Sequence, residues 1–576
     1  MTVRSVLRAL CILGSLGLLG YGIIQPVEAE VRWLLCVWSA APLIGLAVWL
    51  GASPAPRSVH RSIANVGLVI LMGFGMLSLQ LLRQQVVQAD AIYRYVAISP
   101  NGSSTSNVRP VLDSQRVLRG RMLDRKGVVI VDSQQVDRFS RRIYPLTERY
   151  DDPTAFSNVV GFFSTRYGQS SLESTYAEYL TGQRGNEWDR LRERFLGGTP
   201  HGNDLTLTLN ADLQARAAEL LGQRTGSVVV LDPRTGAVLA LVSKPGFDPS
   251  QLSFDPGAAD WEVENQRVGH YWDTLLADGS GRPLLNRPAQ GLYPPGSIFK
   301  TVTAIGVLEN PTVGRPNEIT CPETFTPQPD APPVVNAAKN LAAPALAGDP
   351  SSLERVYAFS CNTAFAQYAT RLTPDLMLAT ARRFDILAPQ DATASYDEFT
   401  DLPASQSLSY VKPGFLNLPR GLADTGYGQG ELLVTPLQMA LVTAAVANDG
   451  VMMQPYLVQK VTRPDGGEIM THTPRAIRTT MSRETARTMR ANMGAVAQYG
   501  FGKSVDNYTP PGILVGGKSG TAEHVQGAVP HAWFIAVAPL DAPRYAVAVM
   551  VEGGGEGSSV GAELAGRVLA AAFETE

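Results

Sequence analysis

The sequence predicts an α+β protein: an antiparallel five-stranded sheet with flanking helices and an inserted helical lobe, preceded by a small α/β pedestal and transmembrane helices. Three observations lead there. Two strand patterns near residue 230 and three more between 512 and 551 enclose a long helical middle, so one sheet must draw on both ends of the domain. Three apolar stretches of bilayer-spanning length occupy the first 82 residues. Between these parts, residues 111–222 mix short strands and helices and carry no catalytic signature.

At 576 residues, 45% of them hydrophobic, the chain is too long for one small core. Four parts are expected: membrane helices over 1–83, a linker over 84–110, a pedestal over 111–222 and a large C-terminal domain over 223–576. A net charge of -3 leaves no basic footprint for nucleic acid. Four cysteines in so long a chain make no disulfide scaffold. The six histidines show no paired metal-ligand spacing, so neither metal nor cofactor is expected.

The apolar stretches run Val6 to Ile24, Val31 to Gly51 and Ile63 to Leu82. Arg4 and Arg8 precede the first, Arg57 and Arg61 separate the second and third, and the loop Gln25–Glu30 has glutamates but no Lys or Arg. The positive-inside rule then places the N-terminus in the cytoplasm and everything after Leu82 outside it. A signal peptide cut after Val27-Glu28-Ala29 is the rival for the first stretch, and it leaves the outer location unchanged. Gly14, Gly17 and Gly20 recur every third residue, a face able to take a close-packed helix.

After a linker centred on Asn101–Asn107, Arg119–Val131 reads as two short strands around an Asp124–Gly127 turn. Tyr167–Gly182 reads as one helix closing on glycine, and Leu205–Leu209 alternates as a half-buried strand. A helix follows, capped by Asn210 and ended by Gly222. In the C-terminal domain, Ser227–Leu231 and Ala237–Val242 are strands around a tight turn. Gly512–Thr521, Ala532–Ala538 and Tyr545–Val551 are three more, and Ala562–Phe573 is a closing helix. Helices over Ser297–Leu308, Leu353–Ala369, Thr435–Ala447 and Arg483–Val496 form the inserted lobe.

Tyr293-Pro294-Pro295-Gly296-Ser297-Ile298-Phe299-Lys300 opens the first of these helices. Ser297 and Lys300 stand at i and i+3 on one face, so hydroxyl and amine can meet without tertiary help. A serine hydroxyl needs a base beside it to become a nucleophile, and a desolvated lysine can serve. Ser409-Tyr410-Val411-Lys412 repeats the quartet, but Lys412 precedes Pro413, which pushes it out of the α region. That copy is read as chance. Downstream, Ser360-Cys361-Asn362 opens another helix; the hydroxyl can relay a proton and the amide can hold a peptide group. Lys518-Ser519-Gly520-Thr521 lies on a strand to which an extended substrate can add, with Lys518 and the Ser519 and Thr521 hydroxyls as donors for a carboxylate. Each motif alone is commonplace; the ordered set is specific.

With these motifs the chain resembles the penicillin-binding, or penicilloyl-serine transferase, proteins. The likeness to class B members extends over Arg119–Gly127, Tyr167–Gly182, Leu231–Gly236, Pro294–Lys300, Gly426–Gly430, Thr435–Ala440, Lys518–Glu523 and Ala532–Phe534, covering nearly everything after residue 111. Three spans in place of one, and Lys518-Ser519-Gly520 in place of Lys-Thr-Gly, depart from the family. The resemblance implies a D,D-transpeptidase that cross-links peptidoglycan. Ser297 would attack the D-Ala-D-Ala carbonyl of a stem peptide, Lys300 act as base and Ser360 protonate the leaving D-alanine. Backbone N–H groups of Ser297 and Thr521 would form the oxyanion hole, and Asn362, Lys518, Ser519, Gly520 and Thr521 bind substrate. β-Lactams would be trapped on Ser297, and a multispanning glycan polymerase is the partner implied. The pedestal leaves no room for a glycosyltransferase domain.

A D,D-carboxypeptidase or β-lactamase would share the motifs and differ in letting water release the acyl group. A covalent β-lactam or muropeptide sensor is a further alternative, but the loop Ala52–Ser62 is too short for an output module. A Ser-His-Asp hydrolase is disfavoured because no Gly-x-Ser-x-Gly elbow surrounds Ser297. Cys321 and Cys361 lie outside the expected spans, where a disulfide can form; a buried free thiol is the alternative. Cys11 and Cys36 read as apolar filler, Trp533 and Phe534 as core, and His524 and His531 as polar strand-end residues without a catalytic role.

Overall fold

The computed structural model describes residues 3–23, 25, 30–51, 59–86, 88, 96–98, 104–106, 115–145, 150, 152–185, 199–393, 395–525 and 527–576. The expected signal cleavage site, the loop 52–58 and most of the linker lie outside them. Two compact units are present, Met1–Ser114 and Gln115–Glu576.

The first unit holds α1 (Val3–Ile23), α2 (Glu30–Gly51) and α3 (Val59–Val86). Among the described residues, two helices, over Val3–Gly22 and Val31–Gly51, are long and apolar enough to cross a membrane. In α3, Ile70–Leu81 is a shorter apolar helical stretch among the described residues. The glycine stripe is not where packing is closest: a Cβ on Gly17 or Gly20 would meet nothing within 4 Å among the described residues. Closer approaches are at Gly51, where a Cβ would stand 2.7 Å from Arg8 Cζ, and at Gly22, where it would stand 2.8 Å from the Trp33 ring. Arg83 covers that ring at 4.9 Å and donates to Gly22 O at 3.1 Å. Within the stretch expected to be a loose linker, Val96–Ile98 and Ser104–Ser106 pair as a short antiparallel hairpin.

The principal elements of the second unit follow in chain order. First come β1 (Met122–Leu123), β2 (Val129–Val136), β3 (Phe139–Ile143), β4 (Asp204–Leu207), α4 (Ala211–Leu221), β5 (Gly226–Leu231) and β6 (Val238–Lys244). The lobe supplies α5 (Lys300–Glu309), α6 (Leu353–Ala358), α7 (Asn362–Arg382), α8 (Pro436–Ala447), β7 (Val458–Thr462), β8 (Glu468–Thr471) and α9 (Arg483–Gln498). Last are β9 (Gly516–Ala522), β10 (His531–Ala538), β11 (Tyr545–Val551) and α10 (Ala562–Glu574).

The main sheet is antiparallel with order β6-β5-β11-β10-β9, built from both ends of the domain as expected. Helices α4 and α10 pack against it as one pair and α8 and α9 as another. Every residue of β5, β10 and β11 is buried, which explains why these strands read as continuous apolar runs rather than alternating ones. The polar edge is β9, and it faces the lobe.

A second sheet has order β8-β7-β4-β1-β2-β3. Its strands β7 and β8 come from beyond residue 222 and complete the sheet begun by the expected pedestal. Helix α4, placed with the pedestal from sequence, packs on β6 and α10. Its caps are as expected: the Asn210 side chain accepts from Leu213 N, and Gly222 ends it at φ 65°. Tyr167–Gly182 is not one helix but two short ones, Ser171–Thr175 and Ala177–Leu180, set around buried Glu173. Leu353–Ala369 is broken at Ser360, whose φ of 54° no helix tolerates. Neither glycine nor proline marks that break in the sequence.

Glu173 is the pedestal's central charge. Its two oxygens accept from Arg119 Nε at 2.9 Å and Arg142 Nε at 2.6 Å, with all three side chains buried. Burial alone would raise its pKa, but the two guanidinium groups outweigh it and hold the carboxylate below its usual range. Replacing Glu173 by Gln leaves two buried cations without a counter-charge, and should cost about 3–5 kcal/mol in urea unfolding. Cys321 and Cys361 form a disulfide, Cα atoms 6.2 Å apart, while Cys11 and Cys36 are free. Thiol titration of the denatured, unreduced chain should therefore find two groups, and four after reduction.

Candidate active site

The turn bearing Ser297 is a 3₁₀ turn, Gly296–Phe299, running directly into α5. Three residues per turn eclipse positions i and i+3 more closely than an α turn would, so Lys300 sits over Ser297. Lys300 Nζ lies 3.0 Å from Ser297 Oγ. The turn is wedged between neighbouring backbones. Gly296 has φ 56°, and a Cβ there would stand 2.6 Å from Thr521 O on β9. Gly428, at φ 91°, admits no Cβ either, since it would fall 1.8 Å from Gly296 O. Trp533 Nε1 donates to Pro294 O at 3.1 Å, so the buried indole is core and brace together.

Ser360 occupies the junction of α6 and α7 at its left-handed φ, followed by Cys361, which the disulfide ties to Cys321, and Asn362, the first residue of α7. Lys300 Nζ reaches Ser360 O at 2.7 Å, Ser360 Oγ at 2.9 Å and Asn362 Oδ1 at 2.7 Å. Lys518 Nζ, from β9, donates to Ser360 Oγ at 3.0 Å and to Ser519 O at 2.9 Å. Ser297, Lys300, Ser360 and Lys518 thus form one continuous hydrogen-bonded path. Asn362 donates from Nδ2 to Val335 O at 3.0 Å, so its amide is oriented by the protein at both ends.

Both lysines are 0% exposed. Burial, reinforced by the like charge of Lys518, pushes the Lys300 amine well below its usual pKa. Burial alone brings Lys518 down to about 7. Two aromatic faces line the pair: Lys300 Nζ stands 5.5 Å from the Phe365 ring centroid and Lys518 Nζ 5.8 Å from that of Tyr357. The Tyr357 hydroxyl is spent on Thr301 Oγ1 at 2.8 Å. The four oxygens around Lys300 divide evenly. Ser360 O and Asn362 Oδ1 can only accept, while the Ser297 and Ser360 hydroxyls can donate. A neutral amine, with two N–H bonds and one lone pair, is therefore fully satisfied here and has its lone pair available to a hydroxyl.

Ser519, Gly520 and Thr521 follow Lys518 on β9, the edge strand of the sheet. Thr521 Oγ1 accepts from Gly557 N at 3.3 Å and can still donate its own proton. Of the eight residues singled out in the sequence, Ser297, Lys300, Ser360, Asn362 and Lys518 are joined by hydrogen bonds, and Ser519, Gly520 and Thr521 continue β9 from Lys518. The second quartet is elsewhere: Ser409 Oγ donates to Ile386 O at 2.9 Å, and Lys412, 83% exposed, pairs with Glu431. Sequence reasoning missed Tyr357, Phe365 and the backbone contact of Gly428. Apolar side chains inside helices carry no mark of the charge they will face.

A family model of the penicillin binding protein transpeptidase domain matches residues 226–570, and one of the penicillin binding protein A dimerisation domain matches 119–205. Peptidoglycan D,D-transpeptidase PbpA of Mycolicibacterium smegmatis is 31% identical over 532 residues, which cover 89% of this chain and 99% of that one. Among solved structures, the ceftriaxone acyl-enzyme complex of penicillin-binding protein A from M. tuberculosis matches with TM-score 0.70 and 31% identity, over 80% of this chain and 100% of that one. The penicillin G acyl-enzyme complex of the same protein matches with TM-score 0.68 and 30% identity, over 79% and 100%. With the transpeptidase model spanning more than half its length, the chain belongs to the penicillin-binding protein transpeptidase family.

Proposed function

We propose that the protein is a membrane-anchored serine D,D-transpeptidase that cross-links peptidoglycan stem peptides through an acyl-enzyme on Ser297. The observation that carries this is the buried amine of Lys300, 3.0 Å from Ser297 Oγ and linked through Ser360 to Lys518. Neutral Lys300 takes the Ser297 proton as Oγ attacks the penultimate D-alanine carbonyl of the donor stem. Developing negative charge on the carbonyl oxygen meets the backbone N–H groups of Ser297 and Thr521, whose segments touch at Gly296. Such donors are worth roughly 3–4 kcal/mol each in acyl transfer. The proton passes from Lys300 through Ser360 to the departing D-alanine amine, breaking the C–N bond and leaving an ester. The amine of a second stem attacks that ester, its proton returns along the same path, and Ser297 is restored.

The donor stem adds to β9 as an extended strand, its terminal carboxylate held by Lys518 and the Ser519 and Thr521 hydroxyls, while Gly520 lets β9 lie close against the Ser297 turn, where a Cβ would stand 3.0 Å from Pro295 O. Asn362, fixed by Lys300 and Val335, presents its remaining N–H to the stem. β-Lactams follow the first half of the same path and stop at the ester. Three membrane helices, an inside N-terminus and an extracytoplasmic catalytic domain fit the arginine distribution. A multispanning glycan polymerase is the partner such a membrane part would meet.

Ser297→Ala should abolish labelling by a fluorescent penicillin, at least about a thousandfold, with an unchanged unfolding midpoint; retained labelling overturns the assignment. In the wild type, the penicilloyl-enzyme should persist for minutes to hours, where a lactamase would turn it over. Because Lys300 must be neutral to act, and burial lowers its pKa, acylation should rise with pH and level off far below 10.5, the value an ordinary lysine would require. Lys300→Arg, which cannot shed its proton, should not acylate at any pH in that range.

A further inference from the structure

The glycine-rich stretch Gly553-Gly554-Gly555-Glu556-Gly557, after β11, crosses the β9–β10 hairpin and meets it at three points. Gly557 N donates to Thr521 Oγ1 at 3.3 Å, Gly555 N to Pro530 O at 3.0 Å and Gly553 N to His531 Nδ1 at 3.1 Å. A hydroxyl and a carbonyl keep their lone pairs at any ordinary pH. An imidazole nitrogen accepts only while it carries no proton. His531 opens β10 and pairs with Ala522, next to Thr521 on β9. The one titrating contact of the three therefore lies beside the strand on which substrate is proposed to add.

The surroundings of His531 oppose a charge there. The His524 ring stacks on it at 4.0 Å, 12° from parallel, and the Tyr293 ring meets it edge-on at 5.7 Å. The Tyr293 hydroxyl donates to Glu552 Oε1 at 2.7 Å, and Arg287 Nε donates to the same oxygen at 2.8 Å, so the nearby carboxylate is already engaged twice. Burial first, then His524, hold the His531 pKa below the usual histidine value, with Glu552 opposing.

We infer that His531 is a positioning residue for β9: neutral, it latches the glycine-rich stretch to the hairpin and holds Thr521 in register for substrate, and protonated, it releases that stretch. The inference rests on the proposed acyl transfer at Ser297. Since its folded pKa lies below 6.5, the latch is fully closed above that value and opens as pH falls through the lowered one.

The test is the rate of acylation by a fluorescent penicillin, from about pH 5 to 8, of the full chain in detergent, compared with His531→Gln and His524→Ala. Glutamine keeps a carbonyl acceptor and does not titrate. His531→Gln should stay within about twofold of wild type at pH 7.5 and outpace it at the acid end, by a factor that grows as pH falls toward 5, because one acid step is gone. His524→Ala removes the stacked ring that disfavours the charge, and should move the acid fall to higher pH. Superimposable profiles for the three proteins overturn the latch, as does a His531→Gln rate lowered equally at every pH. If His531→Gln does not fold, the direction of the His524→Ala shift decides alone. A wild type that takes no label overturns the acyl-transfer reading and the latch together, whereas labelled proteins with coincident profiles overturn the latch only.

Discussion

Two lysine amines with no exposed surface converge on one hydroxyl, and the domain around them is organised to keep them dry. Holding Lys518 at about 7 rather than 10.5 costs about 4 kcal/mol of folding free energy at neutral pH, at 1.36 kcal/mol for each tenfold change. Between those values the unfolded chain binds a proton that the folded chain lacks, so stability rises as pH rises across that window and is lowest beneath it. That is a large fraction of the stability of an ordinary domain. A site of this kind survives only inside a frame strong enough to bear it, which here is a sheet buried on both faces and pinned to the lobe.

The frame works by close approach. The Ser297 turn has Thr521 O on one side and Gly428 on the other, both too near for a side chain at position 296 or 428. Ser360 is held in a left-handed conformation that costs an ordinary residue about 1–3 kcal/mol. The surroundings over-determine it: Lys300 takes both its carbonyl and its hydroxyl, Lys518 the hydroxyl again, and the adjacent Cys361 is bonded to Cys321. Freed of these, Ser360 would relax toward a helical φ and α6 would run on into α7. The hydroxyl would then leave the lysines.

Much of this was legible from residues alone, and what was not follows a pattern. The Ser297 turn with Lys300, the Ser360–Asn362 segment and Lys518 stand out in the sequence because reactive groups at fixed spacing carry their own signal, and hydrogen bonds join them in the structure. The five strands of the main sheet were legible because β-branched runs bounded by turn residues are local features. The break at Ser360 was not, since tertiary bonds rather than glycine or proline impose it. Tyr167–Gly182 misled for the same reason: its helical pattern yields to the demand that Glu173 reach two arginines.

The pedestal sheet also draws on the chain beyond the lobe, and this bears on how the catalytic unit is held. Main-chain pairing of Val458 to Leu207 and of Val461 to Leu205 makes β7 part of the pedestal sheet, although it follows the lobe in sequence. Tyr176, between the two short pedestal helices, donates to Asp401 Oδ1 at 2.5 Å, and Asp401 Oδ2 accepts from Leu457 N at 2.5 Å and Val458 N at 3.0 Å, so Asp401 links the pedestal to the start of β7. A spacer attached through one covalent link could swing. One that shares a strand ladder cannot move without breaking main-chain hydrogen bonds or carrying β7 along. The pedestal is therefore a structural part of the catalytic unit, and the orientation of the Ser297 cleft relative to it is set when the sheet forms.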